Sequence, residues 1–259
     1  MIGAFPLIRS ASIADANGQI YFKVMKEDQF ADPTARRVHK RGMQKRASKI
    51  SGAKFAGLIQ LESQMETTLV LCLEIDPRVD TLRVQPCTID LNSGRVYGTQ
   101  KELMERFRGR SYQPSPYTPD IEVKLTMGGK CFLDAKHTAH IKKKPEYLQY
   151  PELLEQFGIS LILVTEVLLQ GPIWSNVRLL APYVGHGLKD SSRAAVIGIP
   201  QAGMRLQDIK GELGLTLREI CIAVLLGELS FKIGEAELKP DSILQPCGGC
   251  QKHLEVIGL

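Results

Sequence analysis

The chain has 259 residues, 44% of them hydrophobic and 24% charged, with a formal net charge of +5. That suits one large domain or two modest ones around a real core, and the charge permits a polyanionic partner without requiring one. The longest apolar stretches, Ile159–Val164 and Ile220–Leu226, are too short to span a bilayer; with no secretory signal pattern and no glycine-rich phosphate loop, membrane-spanning, secreted and nucleotide-driven motor classes are set aside and a cytoplasmic protein is expected.

In chain order, Gln19–Met25 is the first strand candidate. From Pro33 to Leu61 there is no Asp or Glu, while Arg36, Arg37, Lys40, Arg41, Lys45, Arg46, Lys49 and Lys54 all fall there. Such a basic block reads as a nucleic-acid arm, and equally as a solvated face balanced by acidic helices elsewhere. Leu58, Leu61, Met65, Leu69 and Cys72 recur at spacings of three and four, which predicts a helix over 58–73 stopped by Asp76-Pro77. Glu62 and Glu66 then lie four apart on one helical face. Val79–Val84 alternates imperfectly and predicts a strand ending at Gln85-Pro86; Lys101–Arg108 predicts a short helix.

The segment Tyr117–Lys136 carries the most chemistry. Ile121, Val123, Leu125 and Met127 alternate with Asp120, Glu122, Lys124 and Thr126. After Gly128-Gly129, Cys131, Leu133 and Ala135 alternate with Phe132, Asp134 and Lys136. Opposed residues of a hairpin share a face, so this pattern constrains the register. A two-residue Gly-Gly turn would pair Met127 with Lys130 and separate Asp120 from Asp134 and Lys136. A three-residue loop, Gly128-Gly129-Lys130, pairs Met127 with Cys131, aligns both apolar faces and gathers Asp120, Glu122, Asp134 and Lys136 on the other. Two carboxylates and a lysine brought together at one end of a hairpin are what phosphodiester hydrolysis needs. The carboxylates hold Mg²⁺, and the ammonium sits beside the attacking water or the developing charge. A surface salt-bridge ladder, with Lys136 opposite Glu122, would use the same residues. Lys142-Lys143-Lys144 follow and would clamp a phosphate backbone or simply form a solvated helix start; His137 and His140 are close enough in sequence to assist.

Pro145–Phe157 is predicted helical and Ile159–Val164 a buried strand. Hairpin, helix and strand make an α/β domain with a mixed sheet. Beyond Gln170-Gly171-Pro172 the texture changes to short helical patterns at Trp174–Tyr183, Met204–Leu213 and Thr216–Leu226. Thr216 and Glu219 are spaced as a capping box, and Leu229–Ile233 is a small strand candidate before Pro240. Short helices followed by a strand predict a second, winged-helix-like domain. Cys72, Cys87, Cys131 and Cys221 stand in apolar contexts and read as reduced core thiols. Cys247-Gly-Gly-Cys250 with nearby His253 is half a structural zinc site; with no second ligand pair, a turn bearing two free thiols is the expectation.

Pro119-Asp120 followed by Asp134-Ala135-Lys136 matches the core of the PD-(D/E)xK metal-dependent nucleases. Five blocks occur in one order: Glu62-Ser63-Gln64-Met65-Glu66, Leu73-Glu74-Ile75-Asp76-Pro77-Arg78-Val79, Gln85-Pro86, Tyr117-Thr118-Pro119-Asp120 and Asp134-Ala135-Lys136. Together they resemble TnsA, the endonuclease subunit of heteromeric bacterial cut-and-paste transposons, over roughly residues 40 to 240. The stretches Thr216–Ile220 and Gly227–Phe231 resemble that family's helical C-terminal domain. Met65 stands where the family prefers Leu, and residues 1–40 match nothing in it.

The resemblance implies a restriction-endonuclease-like mixed sheet flanked by helices over 41–170, and a mostly helical, winged-helix-like partner-binding domain over 171–259. It implies Glu66 as the helix carboxylate, with Glu62 the alternative. Asp120 and Asp134 join Glu66 as metal ligands, and Lys136 is the catalytic lysine. The cofactor is Mg²⁺, with Mn²⁺ able to substitute. Arg41, Lys45, Arg46, Lys49, Lys142, Lys143 and Lys144 would contact DNA, making binding salt-sensitive. The implied reaction is hydrolysis of the 5′ strand at transposon ends in the bacterial nucleoid. A separate DDE-type transposase would cut and join the 3′ strand, and an AAA+ ATPase would dock on the C-terminal domain. Two alternatives stand beside this: a stand-alone restriction or junction-resolving nuclease of the same fold, and a DNA-binding scaffold whose acidic cluster is structural.

Overall fold

The computed structural model describes residues 12–14, 20–22, 33–35 and 48–259. Arg41, Lys45 and Arg46 of the expected DNA-contacting set lie outside the described residues, as do Arg36, Arg37 and Lys40. Two short strands, β1 (Ser12–Ala14) and β2 (Ile20–Phe22), form an antiparallel pair, the second inside the stretch expected to be extended. Next come β3 (Ser48–Ile50), β4 (Ile59–Leu61), α1 (Gln64–Ile75), β5 (Val79–Val84), β6 (Thr88–Asp90), β7 (Val96–Tyr97) and α2 (Gln100–Arg106). The hairpin region holds β8 (Pro116–Tyr117), β9 (Ile121–Leu125), β10 (Lys130–Ala135) and α3 (Thr138–Lys143). A 3₁₀ turn at Pro145–Gln149 leads into α4 (Tyr150–Glu155), β11 (Leu161–Val164), α5 (Glu166–Leu169) and α6 (Pro172–Leu180). The remainder is α7 (Asp190–Ile197), β12 (Met204–Arg205), α8 (Leu206–Glu212), α9 (Leu217–Leu225), β13 (Leu229–Ser230) and β14 (Ile243–Pro246).

The central sheet is mixed and runs in the order β11-β10-β9-β5. β10 and β11 are parallel, while β9 is antiparallel to both β10 and β5. Both faces of β10 are buried. Cys131 and Leu133 face the larger core with α1, and Phe132 faces a smaller cluster with Tyr117, Leu154 and Leu161. α1 packs on β5 and β10, and α6 packs along α1. Past α6 the order is helix, strand, helix, helix, strand, strand, with a small antiparallel sheet β12-β14-β13. α9 buries Ile220–Leu225, and the Thr216–Glu219 capping box starts it as expected. The larger apolar core runs without a break from β4 to Ile257 and includes α6 and α9.

Three local expectations are corrected. The helix expected over 58–73 begins only at Gln64, because Leu58–Leu61 is extended and β4 pairs with β3. Ser63 is the N-cap: its hydroxyl accepts the Glu66 N–H at 3.1 Å. Glu66 answers by accepting from the Ser63 hydroxyl at 3.0 Å and the Glu62 N–H at 2.9 Å. Glu62 therefore precedes the helix and does not share its face with Glu66. Leu61 keeps the spacing of three and four from inside a strand, so its burial satisfies a helical pattern it does not belong to.

The hairpin loop is also displaced. Its three residues are Thr126, Met127 and Gly128, closed by Leu125 N–H to Gly129 O at 3.1 Å and Gly128 N–H to Leu125 O at 2.9 Å. Gly128 has φ +89°, as this loop type requires, and Met127 at its tip is 96% exposed. Cys131 faces Val123 and Leu133 faces Ile121, not the expected pairing of Met127 with Cys131. Glu122 faces Phe132 and pairs with Lys130 at 3.5 Å, so it is not opposite Lys136.

Lys54 is not an arm residue. Its half-buried ammonium donates to the Leu73 carbonyl at 3.3 Å and to the Asp76 carbonyl, filling unpaired acceptors at the end of α1. Burial lowers its pKa, against the raising effect of Glu74 and Asp76.

Candidate active site

Tyr117 ends β8, which β6 holds through the Ile89–Tyr117 pairing, and Pro119-Asp120 then leads into β9. Continuing the register one step beyond Leu133–Ile121 sets Asp120 opposite Asp134. Both are buried, at 5% and 0% exposure. Asp120 Oδ2 accepts the Ala135 N–H at 3.0 Å, and the two carboxyl groups are hydrogen-bonded to each other. Asp134 Oδ2 accepts from the Tyr117 hydroxyl at 2.6 Å, and its Oδ1 accepts from the Lys136 ammonium. That ammonium stands 3.8 Å from Asp120 Oδ2.

The charges are unevenly settled. Burial and the Asp134 charge raise the Asp120 pKa well above the usual aspartate range, and Glu66 adds to the rise. Burial alone would raise Asp134 as well. The hydrogen bond from Asp120, the Lys136 charge and the bonds from Lys136 and Tyr117 outweigh burial and hold it low. The two titrate as a unit, with Asp120 pushed toward its protonated form and Asp134 toward its ionised one. Lys136 would be lowered by burial, but the two aspartates more than offset that and raise it. Tyr117 is raised first by burial and then by Asp134, so its hydroxyl stays a donor.

Glu66 enters from the first turn of α1, is 8% exposed and acts on Asp120 through its charge. The expected quartet of Glu66, Asp120, Asp134 and Lys136 is therefore brought to one end of the central sheet. Among the described residues no group of three or more His, Cys, Asp or Glu side chains is placed to hold a metal ion. The donor set fits a hydrated Mg²⁺ nonetheless. That ion takes one or two carboxylates and keeps several waters, and two buried like-charged carboxylates side by side require either a proton or a cation between them.

Around this centre, Lys142 and Lys143 lie exposed in the last turn of α3 with Lys144 as its cap, beginning six residues after Lys136. Glu166 steadies the start of α3 by accepting the Thr138 N–H at 2.8 Å and the Thr138 hydroxyl. His137 is exposed, accepts the Ala139 N–H at 3.1 Å and lies 3.3 Å from Glu166; His140 is exposed in the same helix. Lys49 is exposed on β3. At the other end of the chain, Cys247 Sγ donates to the Cys250 carbonyl at 3.0 Å, and His253 Nε2 is 3.1 Å from the Val224 carbonyl.

Sequence reasoning missed the aromatic wall. Lys136 Nζ lies 5.5 Å from the centre of the Tyr147 ring, Tyr147 meets Tyr150 edge-on at 5.4 Å, and Tyr150 meets Tyr117 at 5.1 Å. Tyr117 was in view beside Thr118-Pro119-Asp120, but no spacing marks it as a partner of a residue seventeen positions on. No protein-family model matches the chain, and no curated protein matches it in sequence.

Proposed function

We propose that this chain is a metal-dependent endonuclease hydrolysing DNA phosphodiesters, with Glu66, Asp120, Asp134 and Lys136 as its working residues. The observation that carries this reading is the buried Asp120–Asp134 pair, side by side at one end of the central sheet with the Lys136 ammonium reaching both. A purely structural ion cluster gains nothing from a second buried carboxylate facing the first. A cation-binding site requires one.

Asp120 and Asp134, with Glu66 beside them, would hold a Mg²⁺, which would supply Lewis-acid polarisation of the scissile phosphate and of a water. The protein's part follows from its geometry. Asp134 is fixed by Tyr117 and Lys136, so it is ordered before any ligand arrives. Lys136, kept charged by both aspartates, faces the negative charge that grows on phosphate oxygens as water attacks phosphorus. In the balance, a P–O bond forms to water, the P–O bond to a sugar oxygen breaks, and the proton lost by water is returned to that leaving oxygen. Lys142–Lys144 extend from the same end of the sheet and supply phosphate contacts along the strand.

The order and pairing of the central strands support a restriction-endonuclease-like domain. Helix, strand, helix, helix, strand, strand after α6 supports a winged-helix-like unit. We assign the chain the TnsA-like role: 5′-strand cleavage at transposon ends beside a DDE-type transposase, with the C-terminal unit docking an AAA+ ATPase. The test is to map both strands at the transposon ends in Mg²⁺ with the neighbouring transposase and ATPase, for wild type, Asp134→Ala and Lys136→Ala. Loss of the 5′ cut with 3′ joining retained supports the role; wild-type cleavage by both variants overturns it in favour of a scaffold. Cleavage by the chain alone at unrelated sites would point to a stand-alone nuclease.

A further inference from the structure

Among the described residues, Gln85 is the one non-glycine residue with positive φ, at +44°. It immediately precedes Pro86, where steric contact with the proline ring further narrows the backbone choices. A left-handed glutamine is strained relative to glycine there, and such strain persists where something else requires the side chain. Its backbone is clamped on both sides: its N–H donates to the Asp120 carbonyl at 2.7 Å, and its carbonyl accepts from Ala35 at 2.8 Å. The side chain is 3% exposed. Nε2 donates to Glu62 Oε1 at 3.4 Å, and Oε1 has no hydrogen-bond partner among the described residues. The Glu62 carboxylate fixes which way the amide is turned, since the opposite flip would set two acceptors against each other.

A buried acceptor left open in this place has a ready explanation. Gln85 is tied to Asp120 through its backbone and to Glu62 through its side chain, and the Glu62 N–H in turn binds Glu66. It therefore bridges the β9 carboxylate and the helix carboxylate of the site. We propose that Gln85 is a water-positioning residue, whose Oε1 accepts a hydrogen bond from the water that attacks the phosphodiester. The water needs a fixed acceptor to aim its lone pair, and a neutral amide supplies one without adding a third negative charge beside Glu66 and Asp120.

This rests on the nuclease reading, and two measurements keep the two claims separable. The first is a crystal structure of the full chain in Mg²⁺. A water within hydrogen-bond reach of Gln85 Oε1 that also touches Glu62, Glu66 or Asp120 is expected; an Oε1 packed dry or bonded to a protein donor overturns the proposal whether or not the chain cuts DNA. The second compares wild type with Gln85→Gly and Gln85→Asn on a plasmid bearing the transposon ends, under the partner conditions in which wild type cuts. Gln85→Gly removes the amide and relieves the strained φ, so it should melt at or above the wild-type temperature while kcat falls about 100-fold with KM unchanged. Gln85→Asn, which tolerates the left-handed region and keeps an amide, should recover part of that loss. Full activity in Gln85→Gly means that the residue is structural only. If wild type neither binds Mg²⁺ nor cuts, the nuclease reading fails by that result, and the water at Oε1 still decides the fate of Gln85.

Discussion

The two ends of α1 each meet a cluster of buried charge, and the clusters differ in kind. At the C-terminal end, Glu74 accepts from the N–H groups of Ala53 and Lys54, and Lys54 caps Leu73 and Asp76. Asp76 takes a forked contact from Arg78, at 3.0 Å and 2.6 Å. Arg78 also reaches the Ile257 carbonyl and Glu255, fastening the last residues to the start of β5. Every charge there meets its opposite or a backbone dipole. At the N-terminal end, the Glu66 charge acts on a pair of adjoining buried aspartates, and one lysine reaches both. The first cluster is closed by its own partners, whereas the second gathers three carboxylates and Lys136 among the described residues. On the nuclease reading proposed above, that difference separates buried charge that holds a fold from buried charge kept ready for a ligand.

Four measurements would break or sharpen the contrast. The largest effect is expected in cleavage: Asp134→Ala and Lys136→Ala should each lower the rate about 10³-fold while remaining folded by circular dichroism. Next, Asp76→Ala should cost about 2 kcal/mol in urea unfolding, by removing the buried acceptor of the Arg78 guanidinium and backbone N–H, with cleavage per folded molecule unchanged. A cleavage defect in that variant at full stability would erase the distinction between the clusters. Third, Asp120→Asn should mimic the protonated carboxyl beside Asp134 while removing a cation ligand. Its melting temperature should stay within about 3 °C of wild type, and the Mg²⁺-dependent heat seen by titration calorimetry should vanish.

The smallest effect concerns Glu219. Hydrogen bonds from the Thr216 hydroxyl, the Ser192 hydroxyl and the Thr216 N–H lower its pKa from 4.5 to about 2. A depressed folded pKa contributes stability above the ordinary carboxylate value, and that contribution is lost as pH falls toward 2. Glu219→Gln should flatten the acid limb of the stability profile in that window and leave the profile above it unchanged.

How much of this was legible in the sequence depends on what each signal encodes. Alternation placed Asp120, Asp134 and Lys136 together because a strand's period of two fixes faces. It could not distinguish the expected register from the observed one, since the two differ by an even number of residues and bury the same faces. Only the turn decides, and it formed at Thr126-Met127-Gly128, two residues earlier than expected. That slip makes Asp120 the neighbour of Asp134, where the expected register would have given it Lys124. The start of α1 was misplaced for a related reason: Leu58 and Leu61 satisfy a helical spacing while extended, and the Ser63 cap outweighs that spacing. Lys54 was illegible because charge runs say nothing about which lysine lies beneath a helix end. The packing of Tyr147 and Tyr150 beside Lys136 and Tyr117 depends on tertiary contact alone.

The 12-residue length of α1 has a practical meaning for anyone altering this protein. At 1.5 Å per residue, Glu66 and Glu74 lie about 12 Å apart along one rigid axis. Perturbations that far apart with no shared partner combine additively. Stability can therefore be tuned at one end of the helix and chemistry at the other, and the double variants should be the sum of their parts.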